Sequence, residues 1–119
     1  MKYCTALAAL FAAVSAEDQN PGAIFNGCYT DPNHPQGWRW ISFTDQYYYI
    51  GKGTVQGSDT GPTQEWTLPA VAEQGDAAPE ISVDFSPKGG PADFPGTWSA
   101  EKGGIAWSDG NFWPRTSDD

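Results

Sequence analysis

The triplet Asp59-Thr60-Gly61 has the form in which an acid peptidase presents its catalytic carboxylate, two such carboxylates meeting so that they share one proton. That site needs an apolar strand running into the Asp. Here Gln56-Gly57-Ser58 precedes it and Pro62 follows, which is the context of a turn. An acid hydrolase acting through Asp59 stands as one functional alternative. Ser-His-Asp chemistry would have to use His34, the single histidine, in a Pro-flanked loop of a chain with no nucleophile elbow. Zinc asks for about four N, S or O ligands, and His34 and Cys28 do not supply them. Asp31-Pro32-Asn33 and Asp109-Gly110-Asn111 space oxygens as calcium loops do, but neither continues to a distal Glu, so both read as turns. Gly51-Lys52-Gly53-Thr54 lacks the upstream Gly and the Lys-Ser/Thr pair of a phosphate loop. The expectation is therefore no catalytic set, no metal and no cofactor.

The aromatic content is the compositional oddity. Six Trp, five Tyr and six Phe exceed what a small core must contain. Exposed Trp and Tyr faces beside Asp, Asn and Gln can hold a pyranose ring, and Trp38, Trp40, Tyr47 and Tyr49 form the candidate ligand platform. A flat apolar patch would equally suit a protein partner. Trp66, Trp98 and Trp107 are read instead as core, because a chain with few aliphatics must build its interior from aromatics.

The elements that position these residues are short segments of period-two alternation ended by Gly, Pro, Asn or Asp. In Glu80 to Phe85, Ile81, Val83 and Phe85 share one face and the polar residues the other. Trp38 to Phe43 places Arg39, Ile41 and Phe43 on one side and Trp38, Trp40 and Ser42 on the other, so either face could be inward. Gln64 to Leu68 sets Trp66 with Leu68. Tyr47 to Ile50 is apolar on both faces. Gly104 to Trp113 reads as a hairpin with a Ser108-Asp109-Gly110 turn and a left-handed Gly110, which gathers Ile105, Trp107 and Trp113 on one side. Asp31 to Gly37 and Ser86 to Pro91 are expected to lack regular structure. Phe25, Gly27 and Tyr29 echo Phe94, Gly96 and Trp98, each Gly opening a strand so that the next aromatic can turn inward. About eight short strands linked by short turns predict an all-β fold, a small antiparallel meander curled into a barrel-like sheet.

A basic start at Lys2, an apolar run from Cys4 to Val14 and small residues at Val14-Ser15-Ala16 have the form of a secretory leader over 1–16, with Glu17 as the mature N-terminus. The run is far short of the roughly 20 residues that span a bilayer. The expected organisation is that leader, a flexible start over 17–22, one β domain over 23–115 and an acidic tail over 116–119. A formal charge of -9 argues against nucleic acid or an anionic membrane surface as partner. Cleavage would remove Cys4 and leave Cys28 alone in an oxidising compartment, which keeps open a disulfide from Cys28 to a second chain.

Tyr29-Thr30-Asp31-Pro32-Asn33-His34-Pro35, Asp84-Phe85-Ser86-Pro87-Lys88-Gly89-Gly90-Pro91, Gly96-Thr97-Trp98 and Trp107-Ser108-Asp109-Gly110-Asn111-Phe112-Trp113 together resemble a family of small secreted or lumenal β proteins from algae and related microbes. The resemblance covers residues 23–115, and it implies the fold and the compartment but no activity. The functional expectation is a secreted or lumenal, non-catalytic binding or accessory domain that contacts glycan or protein through its aromatics. A structural subunit of an extracellular or lumenal assembly is the second alternative, beside the acid hydrolase.

Overall fold

The computed structural model describes residues 21–46 and 50–117. Eight antiparallel strands follow one another in order: β1 (Gly27–Asp31), β2 (His34–Gln46), β3 (Ile50–Ser58), β4 (Glu65–Gln74), β5 (Pro79–Val83), β6 (Phe94–Ser99), β7 (Gly104–Trp107) and β8 (Phe112–Ser117). Each pairs with the next, and β8 returns to β1 through Tyr29↔Arg115 and Cys28↔Ser117, closing an up-and-down barrel. Closure leaves no unpaired sheet edge among the described residues. Thr116 and Ser117, expected in the tail, thus belong to the barrel, and the Thr116 hydroxyl donates to the Cys28 carbonyl at 3.2 Å.

Alternation decides what fills the interior. Ile41 and Phe43 from β2, Val55 from β3, Leu68, Ala70 and Ala72 from β4, and Ile81 and Val83 from β5 are all buried in one cluster with the inward aromatics. Rings this large fit because small residues face them. A Cβ on Gly96 would lie 2.7 Å from the Trp107 ring, so the β6 glycine is the floor on which that indole rests. The C-terminal hairpin has the expected three-residue loop. Ile105 pairs with Trp113, Trp107 N–H donates to Asn111 O at 2.9 Å, and Gly110 takes φ 94°.

One end of the barrel is plugged. Residues Ala23–Phe25 form a single 3-10 turn that puts Phe25, fully buried, edge-on to Trp98 at 5.9 Å and beside Phe43 at 6.2 Å. Tyr29 O–H donates to Phe25 O at 2.7 Å, and Arg115 Nη1 donates to Ile24 O at 2.7 Å with its guanidinium 4.7 Å over Trp98. Pro21 and Gly22, read from the sequence as part of a flexible start, are buried, and a Cβ at Gly22 would collide with the Phe43 ring. Apolar packing holds these two residues, and 17–20 lie outside the described residues.

Asp31 to Gly37 is not irregular. Asp31 ends β1, Pro32-Asn33 turns, and β2 begins at His34, because Asp31 Oδ1 accepts the Asn33 N–H at 2.9 Å and fixes the tight turn. Pro35, which hides the alternation in the sequence, is tolerated in the extended chain. In the loop after β5, Ser86–Lys88 forms one 3-10 turn, and Phe85 N–H closes the loop on Pro91 O at 2.8 Å.

Candidate functional site

In an up-and-down barrel alternate connections share an end, so the turns at 32–33, 59–64, 84–93 and 108–111 cluster opposite the Phe25 plug. Between them opens a cavity of about 320 Å³. Its walls are Trp66 from β4, Trp107 from β7, Trp113 from β8, and Phe85 and Phe94 flanking the loop between β5 and β6. Phe94 stacks on Trp107 with centroids 5.3 Å apart, and Trp107 meets Trp113 edge-on at 4.8 Å.

Arg39 sits beside these rings. Alternation points it inward with Ile41 and Phe43, and it is only 2% exposed. Nη1 donates to Trp38 O at 2.9 Å and Ser58 O at 3.1 Å, while Nη2 donates to Asp31 Oδ2 at 3.0 Å and Asp59 Oδ1 at 2.9 Å. The guanidinium also lies 4.9 Å from the Trp66 centroid and 5.1 Å from that of Trp113, within cation–π reach of both. A buried guanidinium needs acceptors such as these to offset its desolvation.

The two carboxylates are held just as firmly. Asp31 Oδ1 accepts from Asn111 Nδ2 at 2.9 Å, and its Oδ2 lies 3.2 Å from His34 Nδ1. Asp59 Oδ2 takes Lys88 Nζ at 2.9 Å and lies 3.7 Å from His34 Nε2. Burial alone would push the Asp31 carboxyl up, yet the hydrogen bonds from Asn111, Asn33 and His34 and the charge of Arg39 hold it below the ordinary carboxylate value. Burial likewise opposes the ionised form of Asp59, and the Lys88 hydrogen bond with the charges of Arg39, Lys88 and His34 outweighs it.

This environment does not suit proton sharing. A carboxyl dyad needs one acid kept protonated, whereas Asp31 and Asp59 are both driven toward the ionised form with the Arg39 guanidinium bonded to each. Asp59 is nevertheless more than a turn residue. The turn itself is organised by Ser58 Oγ, which accepts the N–H groups of Thr60 and Gly61 at 3.2 and 3.1 Å, and this leaves the Asp59 carboxylate for the cations.

Because both carboxyls are depressed in the folded state, they stabilise it above the ordinary unfolded value near 3.9, and that stability is lost as pH falls through their folded values. Urea midpoints should therefore hold steady from neutral pH to about 5 and drop steeply below about 4. In the Asp31→Asn/Asp59→Asn variant the neutral-pH midpoint should be lower and the acid drop shallower. An acid drop as steep as in the wild type would assign it to other groups.

Of the sequence-derived platform Trp38, Trp40, Tyr47 and Tyr49, the structure describes the two tryptophans. Trp38 and Trp40 share the outward side of β2, but Trp38 is only 6% exposed and its indole N–H donates to Gly61 O at 2.7 Å. The loop at Gly61 covers it, so Trp38 offers no open stacking face. Trp40 is half-buried, while Tyr47 and Tyr49 lie outside the described residues. Cys28, also on the outward side of β1, is 1% exposed and disulfide-bonded, which leaves no free thiol there for a second chain. Of the rings read as core, Trp98 and Trp107 belong to the buried cluster and Trp66, half-buried, packs against it; Trp66 and Trp107 also line the cavity. Both Asp-x-Asn segments are turns, Asn111 N–H donating to Asp109 Oδ1 at 3.0 Å. Among the described residues no group of three or more His, Cys, Asp or Glu could hold a metal ion, and no helix is long and apolar enough to cross a membrane.

Fold and site together define a class: an eight-stranded up-and-down barrel, plugged at one end, with an aromatic-walled cavity and a buried ion cluster at the other. No family model, curated protein or solved structure matches the chain.

Proposed function

We propose that this is a secreted or lumenal, non-catalytic binding domain that takes one sugar residue or a short glycan end into the cavity. The observation that carries this reading is the meeting of five aromatic walls with charged and amide side chains in an open-mouthed space of about 320 Å³. Eight strands enclose an interior wide enough for side chains or for one small ligand. Here buried side chains pack the interior described above, and the cavity lies at the loop end. The volume is at the small end of ligand sites, which matches a compact molecule. Flat rings stack on the C–H faces of a pyranose, and the polar mouth meets hydroxyls that both donate and accept. The aromatic surplus in the sequence thus serves a site inside the barrel instead of a row on its outer wall.

A glycan array with the wild type and Trp66→Leu tests this reading. The leucine keeps apolar bulk and removes the flat face. We expect the wild type to retain a restricted set of glycans and the variant to bind them at least tenfold more weakly with its circular dichroism unchanged. Equal retention by both, or none by the wild type, would refute the reading.

A further inference from the structure

Lys88 already occupies the mouth of the cavity. It rises from the 3-10 turn Ser86–Lys88, in which no residue is buried, and is followed by Gly89 at φ 89°. From this loop it reaches across to the turn between β3 and β4, where Nζ bonds Asp59 Oδ2 at 2.9 Å and lies 4.6 Å from the Trp66 ring centroid. A carboxylate and an indole face around one nitrogen are the pair of features that select an organic ammonium. The chain therefore displays, on its own loop, the chemistry that this corner accepts.

Displacing Lys88 would cost the fold little. The pair with Asp59 is partly exposed, at 28% and 29%, and solvent screening keeps the contribution of such a pair small. Arg39 differs in being buried and bonded to two main-chain carbonyls as well as to both carboxylates, so it stays in place. With Lys88 swung out, the three carboxylates Asp31, Asp59 and Asp109 at the cavity face Arg39 and, when protonated, His34. The local balance is then negative, in a chain of formal charge -9, and the field draws in a cation.

We propose that the ligand carries a primary ammonium group that replaces Lys88 Nζ between Asp59 and Trp66, with Lys88 acting as a tethered competitor. Resting on the glycan reading above, this makes the ligand class an amino sugar with a free amine. The recognised group is the ammonium, and the aromatic walls take the ring.

Calorimetric titrations of glucosamine, glucose, N-acetylglucosamine and cyclohexylammonium test it, at mildly acid pH where the amines are protonated and Asp59 is ionised. Glucosamine should bind the wild type at least tenfold more tightly than glucose or N-acetylglucosamine. Lys88→Met should tighten glucosamine about tenfold, and Asp59→Asn should abolish that preference. Glucose binding as tightly as glucosamine would overturn the ammonium inference and leave the glycan reading standing. Cyclohexylammonium matching glucosamine would support the ammonium site and overturn the sugar. Weaker glucosamine binding by Lys88→Met, or no binding of any probe, would overturn the inference.

Discussion

Arg39→Met should be among the most damaging single substitutions in this protein, costing about 3 to 5 kcal/mol. Methionine replaces much of the aliphatic stem but none of the donor contacts. The buried Asp31 carboxylate then faces the interior without its guanidinium, and the Trp38 and Ser58 carbonyls each lose a donor. Trp66 and Trp113 also lose the cation that lies over both rings. For a domain whose total stability is about 5 to 15 kcal/mol, this is a large fraction. Urea denaturation should show a lower midpoint with little change of slope. Adding Asp31→Asn should recover part of the loss, because the stranded charge is then gone. A midpoint within experimental error of the wild type for Arg39→Met would mean that the cluster does not hold the loop end of the barrel together.

Trp107→Ala should also cost about 3 to 5 kcal/mol, the usual loss for a large buried aromatic. The indole is 4% exposed, stacked on Phe94, edge-on to Trp113 and seated over Gly96. Its removal opens a void between β6, β7 and β8, where the small glycine offers nothing to fill the space. The same void joins the ligand cavity, so binding should weaken together with stability. Calorimetric melting separates the contributions: a preserved melting temperature with binding lost would make Trp107 a wall of the site and not a support of the core.

Much of the architecture was written in local pattern. The alternation of Ile81 and Val83, the Ser108-Asp109-Gly110 loop and the gathering of Ile105, Trp107 and Trp113 needed only the two-residue period of a strand and the left-handed freedom of a glycine. The barrel followed from many short strands joined by short turns, since closure is one way such a meander satisfies its edges. The site was half-legible at Arg39. A cation sharing a strand face with Ile41 and Phe43 is costly in a core, and that pattern already asks for buried acidic partners.

Which partners, and which face, only the tertiary structure decided. Asp31 ends β1, while Asp59, Lys88 and Asn111 come from three separate connections, and nothing in their spacing along the chain brings them together. Barrel closure does, because it returns every second turn to the same end. The face of β2 was ambiguous locally, since tryptophans alternate with Arg39 and Ile41, and both sides carry apolar bulk. The choice fell to Ile41 and Phe43, whose burial is best met inside, and Arg39 was carried inward with them by the strand's period. That same step sent Trp38 outward beneath the loop at Gly61 and left the aromatic faces of the cavity to Trp66, Trp107 and Trp113. Local sequence determined the strands and their turns. The closed circuit of hydrogen bonds determined which charges meet.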